Sequence, residues 1–360
     1  MSDATPPQSS VRATRAGDAR GDENEQRDLA SAVSLVVLTH NRKDEVLRTL
    51  QRLVQHAAGV PIVVADNAST DGTAEAIAHA YGHVALVRLP RNAGAAGRNA
   101  AVDACRTPYV AFCDDDTWWA PGALARAVEE LDGHARLAVV TARVLIDEDE
   151  REDATSLRMA ASPFRNTLGV RGTEVVGLLA GACVIRRSAF VAAGGYHPRY
   201  FLGGEEELLA IDLLAAGWHM AYMPDVIVHH HPSRVRNVAA RRRLLPRNAI
   251  WSAWLRRPWR SAWRQTSLRL AEARRDGALL WMGASVLRGL PWVLRERRVI
   301  ADHVEMSLQK RDAFDATPLG VWQRRLARDR ADSAGRARAA QHAEDAPEAA
   351  LVAAQETPPH

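Results

Sequence analysis

Hydrophobic runs and amphipathic stretches alternate along the first half of the chain. Short runs rich in Val, Ile and Leu are typical of buried strands, and apolar residues three and four apart are typical of helices. The predicted strands are Ser34–Leu38, Pro61–Ala65, Val84–Leu89, Tyr109–Cys113 and Leu137–Leu145. The predicted helices are Lys43–His56, Thr73–Tyr81, Gly94–Cys105 and Pro121–Leu131, the last with Pro121 at its first position. This alternation predicts an α/β fold with a mainly parallel sheet flanked by helices.

The pattern of the second half is less regular. It predicts a strand that enters a helix near Ser188 over Val175–Arg187, a helix over Gly204–Ala216 and a strand over Trp218–His231. From Asn237 to about Arg298 it predicts helices rich in Arg and Trp, interrupted at Pro246, Pro258 and Pro291.

Composition divides the chain into four segments. Residues 1–31 and 329–360 mix charged residues with Ala, Ser and Pro and carry no apolar periodicity, which is typical of disordered tails. Between them we expect a catalytic α/β domain over residues 32–233 and a helical C-terminal segment over residues 234–328. The chain has three cysteines without metal-ligand spacing, no secretory signal and no apolar run of ~20 residues, so we expect a cytoplasmic protein.

The helical segment concentrates positive charge, although the net charge of the whole chain is only +4. Its tryptophans lie among Arg and Leu, and they are Trp251, Trp254, Trp259, Trp263, Trp281 and Trp292. Two interpretations remain open: interfacial helices on a membrane surface, or a bundle packed on the α/β domain with an arginine-rich outer face. A third interpretation is nucleic-acid binding through phosphate contacts and base stacking, and we consider it weaker than the other two. It leaves the acidic residues described next unexplained, so we expect no nucleic-acid partner.

Three consecutive carboxylates, Asp114, Asp115 and Asp116, follow the predicted strand Tyr109–Cys113. The carboxyl ends of strands are where open α/β sheets bind their ligands. Carboxylates this close raise each other's pKa. A Mg²⁺ or Mn²⁺ ion removes that cost and typically takes one or two carboxylates plus phosphate oxygens. The triplet therefore suggests a metal site that holds a diphosphate, and the alternative is a solvated acidic turn.

Two further segments follow predicted strands. Asp66 ends the second strand and is expected either to accept hydrogen bonds from a base or ribose or to form a turn, whereas Asp71 is expected to cap the next helix. Small residues in Arg91–Asn99 let a helix N-terminus approach an anion closely, and Arg98 lies within that stretch.

Two polar clusters stand in the second half. Glu205, Glu206 and Glu207 open a predicted helix, where acids are stabilised by the helix dipole, and one of them projecting into a cleft would be a general base. The triplet His229–His231 ends a predicted strand, on which alternate residues share a face. We expect one of these imidazoles to be a metal ligand.

Taken together and in this order, the motifs resemble the family 2 glycosyltransferases of GT-A fold, from about Val33 to Ser233. The resemblance is carried by Val37–Arg42, Asp66–Gly72, Arg91–Asn99, Asp114–Asp116, Gly181–Arg187, Gly194–Tyr196, Gly204–Glu206 and the strand-end histidine. The family usually has Glu-Asp where this chain has Glu205-Glu206, so the choice of base among the three glutamates stays open.

The resemblance implies an inverting hexosyl- or deoxyhexosyltransferase that uses a UDP- or dTDP-sugar donor and Mg²⁺ or Mn²⁺. The implied nucleotide-sugar contacts are Thr39, Asn41, Asp66, Arg98, Asp114 and Asp115. The implied metal ligands are Asp114, Asp116 and His229, and the implied base is Glu206 or its neighbour Glu205.

The implied acceptor is a hydroxyl group, in a lipid-linked molecule of cell-envelope polysaccharide or glycolipid assembly, with peripheral contact at the inner face of the plasma membrane. A nucleotidyltransferase is the competing enzyme class. It would usually carry a glycine-rich phosphate loop after the first strand, where this chain has Thr39-His40-Asn41-Arg42.

Overall fold

The computed structural model describes residues 28–233 and 238–318, without the side chains of residues 238–242. The predicted disordered tail at 329–360 lies outside the described residues, as does most of the tail at 1–31, of which residues 28–31 enter a short helical turn. Within the described ranges, no helix is both long enough and apolar enough to cross a bilayer.

The elements follow the alternation that the sequence predicts. The strands are β1 (Val33–Thr39), β2 (Ile62–Asp66), β3 (Ala85–Arg88), β4 (Tyr109–Asp114), β5 (Thr117–Trp119), β6 (Leu137–Ile146), β7 (Arg151–Glu152), β8 (Thr173–Val175), β9 (Cys183–Arg186) and β10 (His219–His230). The helices are α1 (Lys43–His56), α2 (Thr73–Ala80), α3 (Gly97–Ala104), α4 (Ala123–Gly133), α5 (Ala154–Ala160), α6 (Arg187–Ala192), α7 (Glu205–Ala215), α8 (Val238–Arg256), α9 (Trp259–Arg275), α10 (Leu279–Arg295) and α11 (Asp302–Asp315).

The strands form one sheet in the order β3-β2-β1-β4-β9-β6-β10-β5, with β7 beside β6 and β8 beside β10. The ladders β3-β2-β1-β4 and β6-β10 are parallel, and β9 runs antiparallel between β4 and β6. In register, Thr39 lies opposite Asp66 and Leu38 opposite Asp114. The first three strand-end motifs therefore meet at one edge of the sheet.

Strand β1 is buried on both faces, which explains why its sequence is a continuous apolar run rather than an alternating one. Leu35 and Val37 pack with Leu50 and Leu53 of α1 in one core cluster. Val36 points to the other face, where it packs with residues of β4, α3 and α7. Helices on both faces of the sheet thus cover the core of the domain.

The C-terminal helices pack against the α/β domain as a bundle. Trp251 and Trp292 are buried in a cluster with Tyr200 and Leu208, which belong to the domain. The guanidinium of Arg256 in α8 pairs with both carboxylate oxygens of Asp212 in α7. For these side chains the packed-bundle interpretation is the correct one.

The structure corrects two predictions about prolines. Pro246 and Pro291 lie inside α8 and α10 instead of interrupting them. A proline in a helix interior costs about 3 kcal/mol, and the tertiary packing of both helices outweighs that local cost. Pro121 does not start α4, because Gly122 has φ 73° and the helix begins after it.

The structure also divides the predicted strand Val175–Arg187. β8 and β9 are separated by residues 176–182, which form a loop at the edge where the strand-end motifs meet. β5 was not predicted, because its three residues carry too short a pattern; it pairs antiparallel with β10.

Candidate active site

A cavity of about 920 Å³ opens at the edge of the sheet where β1 and β4 end. Loops and helix starts from both halves of the domain surround it. Its lining includes Thr39–Arg42, Asn67, Asn92, Gly94, Ala95, Arg98, Asp114–Thr117, Leu179–Ala182, Phe201–Gly203, Glu205, Glu206 and His230. Most of the residues singled out from the sequence thus line a single space.

Asp114 ends β4 and turns its carboxylate toward α3. There it pairs with the guanidinium of Arg98, whose side chain is almost fully buried. Gly181 lies against the same carboxylate, and a β-carbon at that position would stand 2.6 Å from its Oδ2 atom. Glycine at 181 therefore allows the loop before β9 to approach the strand-end acid.

Asp115 points to the interior side of the triplet. Its Oδ1 atom accepts a hydrogen bond from Arg42 Nη1 at 2.7 Å, and its Oδ2 atom accepts one from Thr39 Oγ1 at 3.1 Å. Burial raises the pKa of Asp115 to about 7, and the positive charge of Arg42 opposes that rise. Asp115 therefore fixes Arg42 and Thr39 at the cavity wall.

Asp116 is buried at the junction of β4, β5 and β10. Its Oδ2 atom accepts the backbone N–H of Ser233 at 3.1 Å and lies 3.6 Å from Arg42 Nη1. Its Oδ1 atom lies 3.5 Å from Nε2 of His230. A carboxylate and an imidazole thus meet at the floor of the cavity.

His229, the predicted metal ligand, lies outside the cavity. It faces the other side of β10, where its ring stacks on Trp118 with the centroids 5.6 Å apart and its Nδ1 atom is 3.9 Å from Glu150. Because alternate residues of a strand point to opposite faces, the imidazole of His230, and not that of His229, lies beside the Asp116 carboxylate. We therefore transfer the proposed role from His229 to His230.

The donor set at this edge fits a hard divalent cation, since carboxylate oxygens with one imidazole are ligands that Mg²⁺ and Mn²⁺ accept. Among the described residues, however, no three His, Cys, Asp or Glu side chains form a metal cluster as they stand. Asp114 pairs with Arg98, and Asp116 lies beside Arg42. Such a site would need further ligands from a substrate diphosphate.

The predicted base pocket is formed by the ends of β1 and β2. Thr39 is buried, and Asn41 has φ 52° and accepts the backbone N–H of Thr70 at 2.7 Å. Asp66 is buried behind this wall, does not line the cavity, and accepts the Ser69 N–H with both oxygens at 3.3 Å. Asp71 accepts the backbone N–H of Thr73 at 3.1 Å, but Gly72 is the N-cap of α2 and no side chain caps this helix, so the predicted cap at Asp71 is wrong.

Asn67 orders the loop between β3 and α3. Its Oδ1 atom accepts the Ala93 N–H at 2.8 Å, and its Nδ2 atom donates to the Gly94 carbonyl at 3.0 Å. Gly94 has φ 61°, and a β-carbon there would overlap the backbone of Phe201. Ala95 N donates to the Phe201 carbonyl at 2.7 Å, so this loop also touches the segment before α7.

The three glutamates at the start of α7 have different surroundings. Glu207 pairs with Arg311 of α11 at 2.8 Å and does not line this cavity. Glu205 is almost fully buried, and Glu206 is half-buried; both line the cavity. Glu206 accepts the Gly204 N–H at 3.2 Å, which holds its carboxylate close to its own backbone.

Asn248 of α8 holds the loop that leads into α7. Its Nδ2 atom donates to the carbonyls of Tyr200, Leu202 and Gly203 at 3.0, 3.3 and 2.5 Å. Asn248 is fully buried. A residue of the C-terminal bundle thus supports the backbone directly before Glu205 and Glu206.

A second cavity, of about 870 Å³, lies between the domain and the C-terminal helices. Apolar side chains form much of its wall, and they are Met159, Phe164, Val175, Val176, Leu178, Leu245, Leu268 and Phe314. Thr155 and Glu206 line both cavities. Glu206 therefore stands where the two spaces meet.

Sequence reasoning gave no individual role to four residues of this site, namely Arg42, Asn67, Gly181 and Asn248, and it named His230 only as a member of the histidine triplet. The alternation along β10 did place His230 opposite its neighbours, but it did not indicate which face meets the acids. Asn67 follows a strand-end acid, which is a signal for a turn rather than for a contact with a loop 26 residues away.

Comparison with known proteins finds that the chain is similar to sugar-transferring enzymes. A profile described as glycosyl transferase family 2 matches residues 34–192. The chain is 31% identical over 206 residues to the N-acetylglucosaminyl-diphospho-decaprenol L-rhamnosyltransferase of Mycobacterium tuberculosis, covering 48% of this chain and 66% of that protein. It is 25% identical over 213 residues to the O-antigen chain rhamnosyltransferase WbaN of Salmonella anatum, covering 55% of this chain and 65% of that protein. The chain thus spans just under two thirds of these relatives.

Among solved structures, S. aureus TarS 1-349 in complex with UDP-GlcNAc superposes with a TM-score of 0.50 at 16% identity, covering 71% of this chain and 72% of that one. Likeness at this identity concerns the fold alone. It confirms the predicted GT-A-like architecture.

Proposed function

We propose that this chain, whose residues 34–192 match the profile of glycosyl transferase family 2, is an inverting transferase that moves a sugar from a nucleoside diphosphate to an acceptor hydroxyl. The observation that carries the proposal is that Asp114, Asp116, His230 and Glu206 line one cavity. The acids at the strand ends could hold the metal ion that binds the donor's diphosphate, and Glu206 could accept the proton of the acceptor hydroxyl.

The donor would lie along the edge of the sheet. Its base would contact Thr39, Asn41 and Asn67, which line this part of the cavity. Asp66 would stabilise this part of the wall through its hydrogen bond with Ser69. Its diphosphate would face Asp114 and Asp116, beside the Gly94–Ala96 turn that leads into α3. Arg98 holds the Asp114 carboxylate in place and brings a positive charge to the same wall.

A Mg²⁺ or Mn²⁺ ion held by Asp116 and His230, with Asp114 beside it, would neutralise charge on the leaving diphosphate. The other steps belong to the protein. Glu206 accepts the proton of the acceptor hydroxyl as the acceptor oxygen bonds to the anomeric carbon. The bond between that carbon and the diphosphate oxygen breaks, and the nucleoside diphosphate leaves with the electron pair. One displacement from the opposite face inverts the configuration of the anomeric carbon.

The acceptor would enter through the second cavity. The donor occupies the first space in this proposal, and Glu206 borders both. A hydroxyl arriving from the second cavity meets the carboxylate on the side away from the strand-end acids. In-line displacement requires this arrangement, because the nucleophile and the leaving group must lie on opposite faces of the sugar carbon.

Two relatives are named as rhamnosyltransferases, and one name specifies a diphospho-decaprenol acceptor. These names support a deoxyhexose as the first donor to test, a lipid-linked hydroxyl acceptor, and a role in cell-envelope polysaccharide assembly. A thermal-shift screen of UDP- and dTDP-sugars with Mn²⁺ would identify the donor without knowledge of the acceptor.

Glu206→Gln tests the base. The amide keeps an oxygen that accepts the Gly204 N–H, but it cannot take a proton. We expect unchanged donor binding and a loss of transfer of about 10²–10⁴-fold.

Glu207→Gln is the matched control for the loss of the base, because it makes the same change at the next residue, which pairs with Arg311 and lines the second cavity but not the first. It should lower thermal stability and leave transfer within a few-fold of wild type. If Glu207→Gln is the inactive variant and Glu206→Gln is active, the proposed base is wrong.

A further inference from the structure

The outward face of α10 carries a continuous apolar stripe. Leu280, Leu287 and Leu294 are 90%, 65% and 53% exposed, and Ala284 and Pro291 between them are exposed as well. At 3.6 residues per turn, these five positions fall within about 80° of the helix circumference. Isolated exposed leucines are ordinary, whereas a stripe along four turns indicates a contact surface.

The opposite face of α10 fixes the direction of this stripe. Met282, Trp292 and Val293 are buried in the bundle. Gly289 packs so closely on Trp251 of α8 that a β-carbon would stand 2.4 Å from the indole ring. The helix therefore has apolar residues on both faces, and it cannot rotate to bury the outer stripe without losing this packing.

Positive charge lies beside the stripe. Residues 259–298 contain nine arginines and three acidic residues. Arg288 and Arg295 are exposed beside the stripe, and Glu296 pairs with Arg295 and His197. Apolar side chains flanked by arginines are the composition of helices that lie in a membrane interface.

We propose that the outer stripe of α10 docks on the surface of a bilayer that contains anionic lipids. The three leucines enter the headgroup boundary, and Arg288 and Arg295 contact lipid phosphates. We place α10 in the plane of the bilayer surface, because it has only 17 residues and carries Arg288 and Arg295 in its second half. No helix among the described residues could span the bilayer.

A second copy of the chain fits this surface less well. A two-fold contact between α10 helices would bring the arginine-flanked stripe of one copy against that of the other. Like charges placed opposite each other across an interface cost several kcal/mol. A lipid surface supplies the opposite charge instead.

The test is cosedimentation of the full chain with vesicles of phosphatidylcholine alone or with about one third phosphatidylglycerol. We expect binding to the anionic vesicles that weakens as salt screens the arginines. Leu280→Gln with Leu287→Gln leaves the charge unchanged and should lower the partition coefficient about tenfold or more. Arg288→Gln with Arg295→Gln should weaken binding and flatten its salt dependence.

The matched control is Val191→Gln with Met306→Gln, which removes two other exposed apolar side chains, 51% and 62% accessible, from α6 and α11. It should bind like wild type. Wild-type protein that stays in the supernatant at low salt overturns the proposal, as does a control as defective as the leucine variant. The proposal also fails if sedimentation equilibrium finds a dimer that the leucine substitutions dissociate while vesicle binding is unchanged.

Discussion

Asn248, which lies outside the α/β domain, holds the loop that leads to Glu206, the proposed general base. Its removal should slow the chemical step more than it weakens donor binding. Asn248→Ala deletes the donor to the Leu202 and Gly203 carbonyls. The Tyr200 carbonyl keeps two other partners, Leu202 N at 2.8 Å and Arg247 Nη2 at 3.1 Å. The buried Gly203 carbonyl and the part-buried Leu202 carbonyl thus lose a partner.

The magnitude follows from these contacts. A buried acceptor left without its partner costs about 1–3 kcal/mol, so this is the cost at the Gly203 carbonyl unless the loop moves. The part-buried Leu202 carbonyl adds less. We expect the loop to move, because Gly203 and Gly204 have positive φ and adapt easily. Glu206 lies two residues further on, and a displacement of about 1 Å at a reacting group lowers the rate by about 10²-fold.

The assay compares kcat for nucleoside diphosphate release with the Kd of the donor measured by calorimetry. Asn248→Ala should lower kcat by about 10- to 100-fold while the donor Kd changes little. Asn248→Asp should be worse than Asn248→Ala, because a carboxylate would face three carbonyl oxygens. Ser252→Ala is the matched control, since it removes a buried hydrogen bond of 2.7 Å from α8 to the Tyr200 hydroxyl without touching the loop carbonyls.

The positioning role is refuted if Asn248→Ala keeps the wild-type kcat. It is also refuted if Ser252→Ala lowers kcat as much, since the loss would then follow general destabilisation of the interface between α8 and the loop.

Two further predictions concern the strand-end acids. Asp116→Asn and His230→Ala should each abolish the Mn²⁺-dependent thermal stabilisation by nucleoside diphosphate, whereas His229→Ala should preserve it. If His229→Ala abolishes this stabilisation and His230→Ala preserves it, His229 is the metal ligand, as first predicted from the sequence. Gly181→Ala should lower donor affinity by about tenfold or more, because its β-carbon displaces a carboxylate that makes charged hydrogen bonds. Gly177→Ala is its control, with the nearest atom at 3.9 Å, and equal losses in both variants would contradict the argument.

The elements of the first half were predictable because their patterns are local. A buried strand such as β1 needs a run of apolar residues, and an amphipathic helix such as α1 needs apolar positions three and four apart. The observed bounds of α1 match the predicted ones, Lys43–His56. The acids at the end of β4 could likewise be assigned from the sequence alone to the edge of the sheet formed by the carboxyl ends of its strands.

Prediction from local pattern failed where packing decides. Pro246 and Pro291 break helices in isolation, yet α8 and α10 continue through them. Both helices pack against the rest of the fold, α8 through the buried Asn248 and Trp251 and α10 through the buried Met282 and Trp292. Strand β5 has three residues and exists through its pairing with β10. A pattern this short carries no period, so only its partner makes it a strand.

By itself the sequence determined the order of strands and helices, the chemical types at the strand ends and the alternation that separates His230 from His229. Only the tertiary structure decided that His230 is the one beside Asp116, that Glu207 is occupied by Arg311, and that Asn248 supports the loop before α7. The physical reason is that periodicity acts over a few residues. These contacts join residues 45 to 114 positions apart, and their geometry depends on how whole elements pack.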